Sequence, residues 1–288
     1  MKRVVVGVED LPHGDAALGW AAIAAEQRGA TLQLVHATGF PMAGVDMLAD
    51  DWTMQGANAL MDRAVAQARD LVPLVTVEPL IDRRRPAEVL VDVARGAELL
   101  VLGTHRMTTT ERVFSGSLAY QIAAAAPVPT VVVPGGVALD AAGVVVGVDG
   151  SADSIEAVAL AAAEADRTGQ ALHVVRAWME PSLYASVDVY PEGLAESIKE
   201  EERLVLAESV AGLAEQYPDL VVHERLVREQ PGTALLDEAE HARLLVVGSR
   251  GRHGLTRLLL GSVSHTVVLH APCPVMIART RHVETQHT

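Results

Sequence analysis

Along this 288-residue chain, short runs of β-branched and other apolar residues alternate with longer Ala-rich stretches whose apolar positions fall on one helical face. That alternation predicts βαβ units built on a parallel sheet. In the first half, strands are expected at Val4–Val8, Thr31–Ala37, Val75–Ile81, Leu99–Gly103 and Thr130–Val133. Helices are expected between them over Gly14–Arg28, Trp52–Leu71, Ala87–Arg95 and Ser117–Ala125. In the second half, strands are expected at Val144–Val148, Ala171–Ala177, Val221–Val227, Leu244–Gly248 and Val275–Ala278.

The two halves repeat each other. VVVGVED at Val4–Asp10 returns as VVVGVDG at Val144–Gly150, and LLVLGTHR at Leu99–Arg106 returns as LLVVGSRG at Leu244–Gly251. APVPTVVV at Ala126–Val133 returns as APCPVMIA at Ala271–Ala278. Three matches in the same order indicate an internal duplication. Right-handed crossovers then give two tandem α/β domains, each a doubly wound five-stranded parallel sheet of order 3-2-1-4-5. The first is expected over 1–138 and the second over 143–280, with Pro134-Gly135-Gly136 through Ala142-Gly143 as linker and 281–288 as a polar tail.

Composition narrows this picture. Half the residues are apolar but only 3% are aromatic, so the cores must be Val, Leu and Ala, as suits a sheet covered on both faces. The net charge is −14, with 16 acidic against 11 basic residues through Asp140 and 21 against 12 after it. Neither half has the basic surplus that a nucleic-acid backbone requires. Arg83-Arg84-Arg85 reads as a solvated loop before Pro86, and the acidic run Glu200-Glu201-Glu202 as a solvated helix face. Cys273, the sole cysteine, excludes an intramolecular disulfide and reads as an inert buried thiol. The apolar run after Met1-Lys2-Arg3 ends at Glu9, too soon for a signal peptide, and no apolar stretch has the length of a membrane span. A cytoplasmic location is therefore expected.

Candidate chemistry sits after the fourth strand of the second copy. Gly248-Ser249-Arg250-Gly251 is followed, nine residues on, by Gly261-Ser262-Val263-Ser264. A glycine after a strand lets an anion approach backbone amides, and the second element opens a helix whose N-terminal amides and dipole favour negative charge. In an open α/β sheet the ligand lies beyond the carboxyl ends of the strands, where strand order reverses. Asp149, ending the first strand, would face that loop and could accept from ribose hydroxyls or hold Mg on phosphates. An ordinary turn is the alternative for Asp149, and helix N-capping the alternative for Ser262 and Ser264.

This constellation, Gly248-x2-Gly251-x9-Gly261-Ser262 with Asp149 and APCPV entering the last strand, resembles the universal stress protein family in its tandem form. The resemblance implies an adenine nucleotide alpha hydrolase-like fold and an ATP site. It implies adenine and ribose contacts from Val148, Asp149 and Ala177. It implies triphosphate contacts from Gly248, Arg250, Gly251, Gly261, Ser262, Val263 and Ser264. It also implies pairing of last strands across a twofold, hence an internal pseudo-dimer and possible homodimerisation.

The first copy departs from the pattern. Arg106 stands where Gly251 does, Glu9 replaces Asp149, and Gly116-Ser117-Leu118-Ala119 lacks the final hydroxyl. Glu9, Ala37, Gly103, Gly116 and Ser117 are therefore weaker nucleotide candidates. His36 and Arg176, equivalent in the two second strands, read as structural groups. The spacing of His265 and His270 does not suit zinc. Neither Lys2 nor Lys199 follows a glycine, so there is no Walker A loop, and no general base is placed beside the proposed phosphates. The expectation is an ATP-binding regulator of stress or growth, with no or very slow hydrolysis, one ATP per chain and an unidentified regulatory protein as partner. The alternatives are an interaction module that keeps the fold without the ligand, and an ATP-using enzyme.

Overall fold

The computed structural model describes residues 2–9, 15–39, 47–104, 112–137, 141–179, 193–251 and 260–279, with backbone alone at 47–50 and 112–117. They divide into two compact units, 2–137 and 141–279. The first unit runs β1 (Arg3–Gly7), α1 (Asp15–Arg28), β2 (Thr31–Ala37), α2 (Met47–Leu71), β3 (Val77–Asp82), α3 (Pro86–Val93), β4 (Leu99–Thr104), α4 (Arg112–Ala125) and β5 (Thr130–Pro134). The second runs β6 (Val144–Gly147), α5 (Ala152–Thr168), β7 (Leu172–Trp178), α6 (Leu194–Val210), α7 (Leu213–Gln216), β8 (Val222–Arg228), α8 (Pro231–Glu238), β9 (Leu244–Gly248), α9 (Ser262–His270) and β10 (Val275–Ala278).

Strand order is β3-β2-β1-β4-β5 in the first unit and β8-β7-β6-β9-β10 in the second. All of these neighbours are parallel, so both units are the doubly wound sheets that the repeat implies. The apolar runs explain which strands are central. All five residues of β9 (LLVVG) are buried, whereas β8 (VHERLVR), the edge strand, has no buried residue. Each buried Val or Leu in such a run contributes about 1.5–3 kcal/mol. Helix α5 is bounded by local chemistry. Ser151 caps its start and Gly169 ends it at φ 62, returning its amide to Ala165 and Asp166 carbonyls.

Two helices begin earlier than their sequence suggests. Helix α2 starts at Met47 rather than Trp52, and α4 at Arg112 rather than Ser117. Met, Leu and Ala at 47–49 are good helix formers, and an interior glycine such as Gly116 costs only about 1 kcal/mol against Ala, too little to stop a packed helix. The polar tail at 281–288 lies outside the described residues.

A candidate nucleotide cleft in the second unit

Strand order reverses at β6, whose neighbours β7 and β9 leave it in opposite directions across the sheet. A cleft of about 340 Å³ opens beyond the carboxyl ends of these strands. All ten residues singled out in the second copy line it: Val148, Asp149, Ala177, Gly248, Arg250, Gly251, Gly261, Ser262, Val263 and Ser264. Gly147, Ser154, Val175, Arg176, Pro231, Leu235 and Val247 complete the wall. A sequence signal for Pro231 exists, since Pro86 precedes it by the 145 residues that separate the other late matches, and both prolines open a helix. Leu235 carries the same signal, since Leu90 precedes it by 145 residues. It reaches the cleft because a Cβ on Gly147 would lie 2.8 Å from its Cδ1, so the bare strand admits it.

The donor-rich end of the cleft is built by α9. Its N-cap is Gly261 with no side-chain cap, and the first i→i−4 bond runs from His265 N to Gly261 O at 2.8 Å. The amides of Ser262, Val263 and Ser264 therefore precede the helical ladder and face out of its positive end. Neither serine is the N-cap that the alternative reading supposed. Ser264 is buried and its hydroxyl donates to Gly248 O at 2.6 Å, tying the helix to the end of β9. Gly261 N donates to Ser249 O at 2.9 Å, which closes the base of the loop.

Asp149 does two things. Its Oδ1 accepts from the Ser151 amide at 2.9 Å and hydroxyl at 2.5 Å, across Gly150 at φ 81; this is the turn role. Its Oδ2 faces the glycine loop, because a Cβ on Gly251 would lie only 2.6 Å away. A side chain at position 251 would therefore turn the Asp149 carboxylate away from the loop. Position 261 is different: a Cβ there would meet Arg250 Cα at an ordinary 3.5 Å and Gly251 N at 3.6 Å.

Arg176 is buried in β7, donates to Val148 O at 3.1 Å and pairs closely with Glu202 of α6. Glu202 is thus not part of a solvated face, a correction to the reading of the acidic run. In the first unit His36 makes the corresponding bond, Nδ1 donating to Val8 O at 2.8 Å. Both groups fix the peptide ahead of Asp149 or Glu9. Arg84 is likewise more than a solvated charge: it pairs with Asp82 and Asp92, and its guanidinium holds the Asp82 carboxyl below the usual range. Burial pushes the Cys273 thiol up to about 12, which fits an inert group.

The first unit places its weaker candidates differently. Glu9 follows β1 and is exposed, Ala37 ends β2, and Gly103 is exposed in β4. Gly116 and Ser117 lie inside α4, where amides bond within the helix, whereas Gly261 caps α9. Ala119 is buried and cannot make the bond that Ser264 makes to the strand. Arg106 lies outside the described residues.

Among the described residues no helix is long and apolar enough to cross a membrane, and no cluster of three or more His, Cys, Asp or Glu is arranged to hold a metal ion.

Residues 1–134 and 143–279 each match the universal stress protein family. A universal stress protein of Mycolicibacterium smegmatis is 35% identical over 293 residues, covering 96% of this chain and 97% of that one. One from Mycobacterium tuberculosis is 34% identical over 289 residues, covering 96% of each chain. The crystal structure of a universal stress protein from Archaeoglobus fulgidus superposes with a TM-score of 0.68 over 96% of each chain at 17% identity, a likeness of fold.

Proposed function

The chain belongs to the universal stress protein family, and from that premise we propose that it is an ATP-binding regulator whose second unit takes the nucleotide. The observation that carries this reading is the cleft itself, which joins an apolar wall to an anion cradle across one carboxylate. Val148, Val175 and Leu235 offer the apolar surface a purine needs, and the α9 amides with Arg250 offer donors to phosphates. Asp149 stands between the two ends, suited to ribose hydroxyls or to a Mg ion accompanying the phosphates.

The same cleft supports ligand sensing over fast turnover. The hydroxyls of Ser154 and Ser264 each donate to backbone carbonyls, at Ser151 and Gly248, so neither of these two is presented to a base for covalent catalysis. A ligand held this way acts by favouring one conformation or interaction surface, which requires unequal affinity for two states. A regulatory role in stress or growth control, through a protein partner, is the reading that membership of this family supports.

Equilibrium titration with ATP tests the proposal. The wild-type chain is expected to bind, and Asp149→Ala and Gly261→Glu each to weaken binding by about tenfold or more, the second by placing a carboxylate in the cradle. A purified chain that ignores ATP at about 1 mM, equivalent to less than about 4 kcal/mol of binding, overturns it. The first unit favours a second reading for its own half: with Gly116 and Ser117 inside a helix, it suits a module that keeps the fold for packing or partner contact. ATP hydrolysis at many turnovers per second would instead indicate an enzyme.

A further inference from the structure

Asp153 lies in the first turn of α5, four residues beyond Asp149. An acid there ordinarily serves its own helix, but α5 already has a cap, since Ser151 Oγ accepts from the Ser154 amide at 3.2 Å. Asp153 reaches the loop after β9 instead. Its Oδ2 accepts from the Ser249 hydroxyl at 2.6 Å and from the Arg250 amide at 3.1 Å, and the Arg250 guanidinium stands 3.5 Å from the same oxygen. Gly248 presses on the same turn, for a Cβ there would lie 2.9 Å from the Asp153 carbonyl carbon and oxygen. Three consecutive residues, 248 to 250, are thereby held against α5 immediately before Gly251 meets Asp149.

A carboxylate near an anion cradle is unfavourable unless its charge is offset. Two guanidiniums offset it here. Arg250 is one. Arg279 is the other: it follows Ala278, the strand partner of Gly248, which sets it level with Ser249. Arg279 is half-buried, and its ionisation is held below the usual range first by burial and then by Arg250, with Asp153 acting in the opposite sense. Arg250 and Arg279 thus offset the Asp153 charge beside the glycine loop.

We propose that Asp153 is the positioning residue for the polyphosphate of a bound nucleotide, fixing the Ser249-Arg250 turn so that the loop and α9 present their donors to one anion. This rests on the nucleotide reading above. It adds a selectivity: the phosphates, not the nucleoside, depend on Asp153. The equivalent position in the first copy is His13, outside the described residues.

The test uses the full chain with Asp153→Ala and Asp153→Asn, titrated with ATP and with adenosine, and hydrogen exchange at the Arg250 amide without ligand. Asp153→Ala is expected to lose affinity for ATP by about tenfold or more while adenosine changes by less than about twofold. Asp153→Asn, which keeps an acceptor for Ser249 and Arg250, is expected to lose less. The Arg250 amide is expected to exchange faster in Asp153→Ala than in wild type. Unchanged ATP affinity overturns the proposal, and so does an equal loss for ATP and adenosine, which marks a general structural role. A wild-type chain that binds neither ligand overturns the nucleotide reading, and with it the selectivity. In that case amide exchange still decides whether Asp153 fixes the loop.

Discussion

At the residue scale, two glycines three positions apart are bare for different reasons, and substitution separates them. A methyl on Gly248 meets the Asp153 backbone at 2.9 Å, and a helix backbone cannot step aside. Gly248→Ala is expected to lower unfolding free energy by about 1–3 kcal/mol, read from the denaturant midpoint. A methyl on Gly251 meets only the Asp149 carboxylate oxygen, at 2.6 Å, and a side chain can rotate. Gly251→Ala is expected to leave the midpoint nearly unchanged while weakening ATP binding by about tenfold, because Asp149 gives up the orientation it has in the cleft. Equal loss of stability in both variants would contradict this account. The spacing of these glycines and the place of Asp149 were legible because each is local to a strand end. Asp153 was not, because its partners at Ser249 and Arg250 are 96 and 97 residues away and its own surroundings read as an ordinary first helical turn.

At the element scale, the β7–β8 ladder carries a pH dependence. His173 and His223 are direct partners in it, with ring centroids 4.9 Å apart. Burial depresses His173 most, His223 and Arg225 add to that, and Glu238 at the end of α8 opposes it. Its native proton affinity is therefore below that of the unfolded chain, which binds a proton near pH 6.5. The contribution is complete above about pH 6.5 and is lost as pH falls from there toward the depressed native value, with a slope of at most about 1.4 kcal/mol per pH unit. Denaturant unfolding from pH 8 to 5 checks it; His173→Asn is expected to flatten the lower part of the curve, and an unchanged curve would count against the pair. Strand type and order were readable at this scale because buried apolar runs and the repeat agree. The starts of α2 and α4 were not. For α4 the Gly116-Ser117 pair looks like a helix opening, and packing along the rest of the helix outweighs the small preference of glycine against it.

At the scale of the whole chain, the duplication produced two units with one fold and unequal sites, so one ATP per chain is the expected stoichiometry. Native mass spectrometry of the ATP-loaded protein checks it, and two bound nucleotides per chain would refute the inequality. The chain as a whole, at a net charge of −14, repels a polyphosphate, so local donors such as the α9 amides and Arg250 must offset that repulsion. The inequality was half visible beforehand, in Glu9 and Ala119. The other half is the position of α4, which already covers Gly116 and Ser117 where α9 leaves Gly261 at its tip. A missing hydroxyl or an extra methylene is reversed by a single codon change. A helix that starts more than a turn earlier is not, because several residues must stop being helical together before any one of them yields a usable amide. Restoring a hydroxyl at position 119 or an aspartate at position 9 is therefore expected to leave the amides of Gly116 and Ser117 bonded within α4 and the first unit without a cradle.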